Sequence, residues 1–132
     1  MRDNVLLTIT SLLSIIFCLF HLTDDIVRGF EKGGVANLAV VPIAVVWLYG
    51  TTVLAGRRSG YMIILVFSLF SLVVPLIHMQ GKGVGVASSI GHTNGAFFFV
   101  WTLLALGVLG VFSAILAVHG VWRLQRRQSV LS

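Results

Sequence analysis

The chain has 132 residues, of which 58% are hydrophobic and only 10% are charged, whereas soluble domains carry about 25% charged residues. A water-soluble fold of this length could not bury so much apolar surface, so the composition excludes an ordinary soluble domain. The formal net charge is +5. The basic residues stand beside apolar segments, however, and this position indicates contacts with lipid headgroups and no binding of nucleic acid.

Four apolar runs without Lys, Arg, Asp or Glu follow one another along the chain, at residues 5–22, 38–55, 61–77 and 96–121. About 20 apolar residues in an α-helix cross a hydrocarbon core of about 30 Å. The runs are too long for strands and do not alternate with period two. They predict an all-α integral membrane bundle of four transmembrane helices in one domain, 1–132. The expected spans are about 5–23, 37–55, 60–79 and 95–122, in an up-down-up-down course.

The basic residues are distributed unevenly between the two ends of these spans. One end receives six arginines and one acid, namely Arg2, Arg57, Arg58, Arg123, Arg126, Arg127 and Asp3. The other end receives three basic and three acidic residues, namely Arg28, Lys32, Lys82, Asp24, Asp25 and Glu31. Because positive loops stay in the cytoplasm, the pattern places both termini there, in a multi-pass protein of the cell membrane.

The first and third spans each carry a stripe of polar residues at helical spacing. The first stripe consists of Thr10, Ser14, Cys18, His21, Asp25 and Arg28, and the second of Ser68, Ser71, Pro75, His78 and Lys82. Steps of three and four residues keep each stripe on one face of its helix, and in lipid that face should turn inward. Since both helices run outward, we expect their histidines to meet at the extracytoplasmic end.

A candidate metal site follows from these stripes, with His21, Asp24, Asp25, His78 and His92 at one level. Neutral imidazoles and carboxylates are ligands for Zn²⁺, Fe or Cu(II). Two imidazoles from neighbouring helices could instead hold a haem iron. Ionisable groups inside a membrane also mark proton pathways. The same residues could equally form a structural cluster, in which each histidine bonds to a helix carbonyl. His119 lies at the opposite end of the fourth span and cannot join them.

Three functions are compatible with this pattern. The first is a small, non-enzymatic membrane protein that acts through contacts with the lipid bilayer, a second copy of itself or a partner membrane protein. The second is a metal- or haem-binding membrane protein, which as an oxidoreductase would use the His/Asp cluster. The third is a proton or small-solute carrier. Cys18 is the only cysteine, which excludes an intramolecular disulfide and a CxxC redox pair.

Overall fold

A computed structural model describes residues 2–79 and 94–131, and every regular element in them is helical. The elements are α1 (Arg2–Val27), a short 3₁₀ helix (Val35–Ala39), α2 (Val40–Thr52), α3 (Arg58–Met79) and α4 (Ala96–Leu131). By length and composition, α1, α3, α4 and the combined segment Val35–Thr52 could each cross a membrane. The prediction of an all-helical chain with four apolar helices long enough to cross a membrane is confirmed.

The helix ends differ from the predicted ends in several places, and α1 ends at Val27, four residues past its expected end. Helix α1 begins at Arg2, and α4 continues past Trp122 to Leu131, because Arg and Gln are good helix formers and the helix can extend into water. The second span starts as a 3₁₀ helix and its α-helical part ends at Thr52. Pro42 lies in the first turn of α2, where a backbone N–H would have no helical partner.

The distribution of polar and apolar side chains is inverted relative to a soluble protein. Among the described residues, nine polar side chains are buried between the helices, namely Ser11, Ser14, His21, Asp25, Thr51, Ser68, Ser71, Thr102 and Ser113. Large apolar side chains lie outside, and Phe97 and Leu104 are 81% and 58% exposed. This arrangement suits a lipid solvent, which leaves buried polar groups to find partners inside the protein.

Contacts at the two ends of the molecule define how the helices run. At one end, the Tyr61 hydroxyl at the start of α3 donates to Asn4 Oδ1 at 2.6 Å. There too, Arg123 Nη1 of α4 donates to Asp3 Oδ2 at 2.7 Å. At the other end, His21 lies 3.1 Å from Thr102 near the start of α4. Helices α1 and α3 therefore run in the same direction, and α4 runs against them.

Side-chain hydrogen bonds connect the helices in the middle of the molecule. Trp47 Nε1 of α2 donates to Ser11 Oγ of α1 at 2.8 Å, and the Ser11 and Thr51 hydroxyls lie 2.7 Å apart. Ser113 Oγ of α4 donates to Thr10 Oγ1 at 2.9 Å. Each bond joins two helices where lipid offers no alternative partner, so these bonds fix the rotation of α2 and α4 against α1.

Small residues set the closest approaches between helices. A Cβ atom on Gly60 would overlap the Leu54 carbonyl oxygen and lie 2.9 Å from the Gly50 carbonyl oxygen, which holds the α2–α3 hairpin tight. A Cβ on Gly110 would lie 3.1 Å from the Ser68 carbonyl oxygen, so this glycine lets α4 approach the α3 backbone. Gly110 therefore packs within the chain.

The substitution Gly60→Ala should destabilise the fold, because the added methyl group meets backbone that cannot rotate away. Overpacking of this kind costs about 1–3 kcal/mol. The measurement is the free energy of unfolding in mixed detergent micelles. Gly34→Ala is the matched control, since a Cβ atom there has nothing within 4 Å. Equal stability of the two variants would contradict the close hairpin.

Candidate metal centre

The way α1 ends positions the first two residues of the site. The backbone N–H groups of Phe30 and Glu31 donate to the Asp25 carbonyl at 2.9 and 3.2 Å. Gly29 has φ 77°, the left-handed conformation that closes a helix end. The chain turns back so that the Phe30 ring lies 6.2 Å from the Phe99 ring. His21 and Asp25 are thus held on one face, four residues apart, in the last turns of α1.

Three side chains from two helices converge at this end. His21 Nε2 lies 3.6 Å from Asp25 Oδ2, and His78 Nε2 of α3 lies 3.7 Å from the same oxygen. One candidate ligand atom from each residue lies within 4.8 Å of the others. His21 and Asp25 are buried, with 3% and 7% of their surface exposed. The predicted meeting of the two polar stripes is therefore present for these residues.

The protonation of the His21 ring follows from its neighbour on α4. The Thr102 hydroxyl donates its single proton to the Phe99 carbonyl at 2.9 Å. Thr102 Oγ1 lies 3.1 Å from His21 Nδ1, and a hydroxyl that donates to a carbonyl favours a protonated Nδ1 as its own donor. In that tautomer, the neutral His21 ring would present the lone pair of Nε2 toward Asp25. Metal-binding histidines are commonly oriented in this way, by a hydrogen bond from the other ring nitrogen.

Two buried polar atoms of the cluster lack hydrogen-bond partners among the described residues, and they are His21 Nε2 and Asp25 Oδ1. The separation of 3.6 Å between His21 Nε2 and Asp25 Oδ2 is too long for a hydrogen bond. A lone pair that faces a carboxylate in a buried site is unfavourable unless a cation lies between them. The geometry therefore suits a cation shared by these atoms.

Aromatic packing closes the inner side of the cluster. The Phe99 ring is fully buried and lies 5.0 Å from the His21 ring and 5.4 Å from the His78 ring. The two imidazoles meet edge to face, with centroids 4.7 Å apart. A haem between two axial imidazoles needs their centroids about 6 Å apart on opposite faces of the porphyrin. The observed packing thus favours a single ion over a haem.

Asp24, another predicted ligand, does not belong to this triad. Asp24 Oδ2 accepts from Arg28 Nε at 2.7 Å, and Arg28 Nη2 reaches the Asn94 carbonyl at 3.5 Å. Asp24 thereby balances the positive charge of Arg28 close to the triad, which otherwise would disfavour a cation. His92 lies outside the described residues, as does Lys82 of the predicted α3 stripe, so both stay predictions.

Sequence reasoning missed Thr102 and Phe99. Thr102 is one hydroxyl inside a long apolar run, and hydroxyl residues in such runs usually bond to their own helix. The sequence could have indicated the role of Thr102 by its position, because it lies in the second turn of α4 and, on an antiparallel neighbour of α1, at the depth of His21. His119, in contrast, was correctly separated from the cluster. Its Nδ1 lies 3.9 Å from Asp3 Oδ2. Asp3 is about 27 Å from His21 along the axis of α1.

Comparison of the chain with protein-family models, with curated proteins and with solved structures finds no match. What the cluster can do chemically therefore has to follow from its own residues. Two imidazole nitrogens and a carboxylate oxygen, buried and close together, form a donor set for a divalent transition metal.

Thr102→Val should remove the acceptor for the buried His21 N–H and lower the free energy of unfolding by about 1–3 kcal/mol. Histidine ¹⁵N NMR of the metal-free protein should show a protonated Nδ1 for His21 in the parent and lose that fixed tautomer in the variant. Thr52→Val is the control, because Thr52 is exposed and donates only to the Leu48 carbonyl of its own helix at 2.7 Å. An unprotonated Nδ1 in the parent would refute the assignment.

Proposed function

We propose that this chain is a multi-pass membrane protein that binds one divalent transition-metal ion between α1 and α3. His21, Asp25 and His78 supply the ligands, and Thr102 orients His21. The observation that carries the proposal is the buried His21 Nε2 atom, which lies 3.6 Å from Asp25 Oδ2 and has no hydrogen-bond partner among the described residues. A bound cation would stabilise both groups at once.

The spacing of the donor atoms supports a small ion. A tetrahedral Zn²⁺ site with metal–ligand distances of about 2.0–2.1 Å separates its ligand atoms by about 3.4 Å. The separations of His21 Nε2 and His78 Nε2 from Asp25 Oδ2 are 3.6 and 3.7 Å, close to this spacing, and one ligand atom from each of the three residues lies within 4.8 Å of the others. Three protein ligands leave at least one coordination position for water or a further ligand, and His92 stays a candidate for it.

The metal-binding hypothesis accounts for the polar cluster better than a purely structural role does. If the cluster were purely structural, its buried polar atoms should pair with helix carbonyls, yet two of those atoms remain without partners among the described residues. A proton or solute carrier would use the same residues. No contact favours the carrier hypothesis specifically, because the two histidine Nε2 atoms lie beyond hydrogen-bonding distance from Asp25 Oδ2.

The placement in the membrane belongs to the same proposal. Residues from the start of α1, the α2–α3 turn and the last turns of α4 line one cleft, so the segments that contain most of the arginines lie at one end. The metal cluster lies at the other end. We infer an up-down-up-down bundle with both termini in the cytoplasm and the metal centre on the extracytoplasmic side.

Protein purified in detergent without any chelator should contain close to one equivalent of zinc, iron, manganese or copper per chain by elemental analysis. After metal removal, Zn²⁺ at about 100 times its dissociation constant should raise the free energy of unfolding by about 2.7 kcal/mol. Co²⁺ in place of Zn²⁺ should give visible ligand-field bands, whose intensity reports the coordination number.

Replacement of a ligand provides the decisive comparison. His21→Ala, Asp25→Asn and His78→Ala should each weaken Zn²⁺ binding by at least about 100-fold, more than the loss of an orienting partner does. His119→Ala removes a histidine from the opposite end and should leave the affinity unchanged. Substoichiometric metal, together with equal Zn²⁺ affinity in all four variants, would refute the metal site and favour a structural cluster.

The proposed orientation predicts where single cysteines can be labelled. In a Cys18→Ala background, a cysteine placed at Ser59 or Ser129 should react with a membrane-impermeant maleimide only after the cells are opened. A cysteine placed at Gly34 should react in intact cells. The reverse pattern would invert the molecule and place the metal centre on the cytoplasmic side.

A further inference from the structure

A second polar site lies at the end opposite to the metal centre. A cleft of about 260 Å³ lies between the start of α1, the start of α3 and the last turns of α4. Its polar lining includes Asp3, Asn4, His119, Arg123 and Arg127. The metal proposal uses none of these residues, so the function of this cleft is independent of it.

One wall of the cleft is built by a close contact between α3 and α4. The Tyr61 ring lies against Gly120, where any Cβ atom would overlap the ring. The buried Tyr61 donates its hydroxyl proton to Asn4 Oδ1 at 2.6 Å, which connects the wall to α1. Three helices are thus fixed around the space, so the cleft is a feature of the packed fold.

The charges in the cleft favour an anion. Asp3 Oδ2 accepts from Arg123 Nη1 at 2.7 Å and lies 3.9 Å from His119 Nδ1. Arg127 also lines the cleft, and in the part of the chain that the structure describes no carboxylate pairs with it. Two guanidinium groups against one carboxylate leave a net positive charge. Guanidinium groups bind phosphate oxygens in a bidentate manner.

An apolar groove adjoins this cationic cleft on the outer surface of α3 and α4. Its volume is about 550 Å³, and its lining includes Leu65, Leu69, Ile115 and Val118. His119 lines both the groove and the cleft, so the two spaces meet at this residue. A ligand that occupies both must join an anionic group to an apolar chain.

An aromatic residue marks the membrane surface at the same level. Trp122 lines the groove, and the Arg126 guanidinium lies over its ring with Cζ 3.8 Å from the centroid. Tryptophan and arginine prefer the headgroup level of a bilayer. The junction of cleft and groove is therefore at the depth where lipid phosphates lie.

We propose that the cleft and groove together bind one anionic phospholipid. Arg123, Arg127 and His119 hold its phosphate, and an acyl chain lies along Leu65, Leu69 and Val118. Asp3 holds Arg123 in place. Zwitterionic lipids bind less well, because their choline group would meet the positive charge of Arg127. Basic pockets between transmembrane helices recognise anionic headgroups by this chemistry.

The test uses the detergent-purified full chain and native mass spectrometry of lipid titrations. Phosphatidylglycerol should bind at least about tenfold more tightly than phosphatidylcholine with the same acyl chains. The double variant Arg123→Gln/Arg127→Gln should lose about 25-fold in affinity for phosphatidylglycerol, about fivefold for each arginine. The control Arg57→Gln/Arg58→Gln removes the same charge from the neighbouring turn, and its affinity should change by less than about threefold.

A single variant separates loss of lipid binding from loss of the fold. Arg127→Gln breaks no ion pair with a described residue, so it should retain the parent melting temperature and still lose about fivefold in affinity. Equal losses in the two double variants would indicate a diffuse surface charge and overturn the site. Displacement of phosphatidylglycerol by an equal concentration of inorganic phosphate would also overturn it, since the acyl chain would then contribute nothing.

Discussion

Lipid cannot hydrate the polar side chains that lie between the helices, and the whole structure depends on this constraint. Lipid neither hydrates a hydroxyl nor drives apolar helices together, so helices associate through close packing and side-chain hydrogen bonds. Ser11, Thr102 and Ser113 are all fully buried, while the outer faces are apolar. The interior is therefore a set of polar contacts at defined depths, and each of them restricts which neighbour a helix can have.

These contacts divide the molecule into three levels with different chemistry. At one end, Tyr61, Asn4 and Asp3 pack beside the arginines of α4 and form a cationic cleft. In the middle, the hydroxyls of Ser11 and Thr51 and the Trp47 indole bond to one another, whereas the Ser68 hydroxyl has no partner among the described residues. At the other end, the donors and acceptors do not balance, because the only proton of Thr102 goes to a carbonyl. A functional site is expected where pairing is incomplete.

The sequence alone supported the helices and part of the His/Asp cluster, for a clear physical reason. Helical spacing determines which residues of one helix share a face, and antiparallel connections determine which ends meet. Those two rules bring His21 and His78 together. They do not determine how each helix is rotated against the next, and for that reason Asp24 was grouped with Asp25 although it pairs with Arg28. Thr102 was missed for the same reason, since its role depends on a partner on another helix.

The first turn of α1 and the last turns of α4 differ in how readily they would accept a fused protein. Asp3 and Asn4 already contact Arg123 and Tyr61, so a protein fused directly before them would crowd those contacts and the cleft. Helix α4, in contrast, continues past Trp122 to Leu131, which extends a straight arm about 14 Å beyond the ring of Trp122. A helical domain joined in register to that arm would keep a fixed orientation relative to the four spans. The carboxyl end is thus the natural attachment point for a rigid fiducial in electron cryomicroscopy.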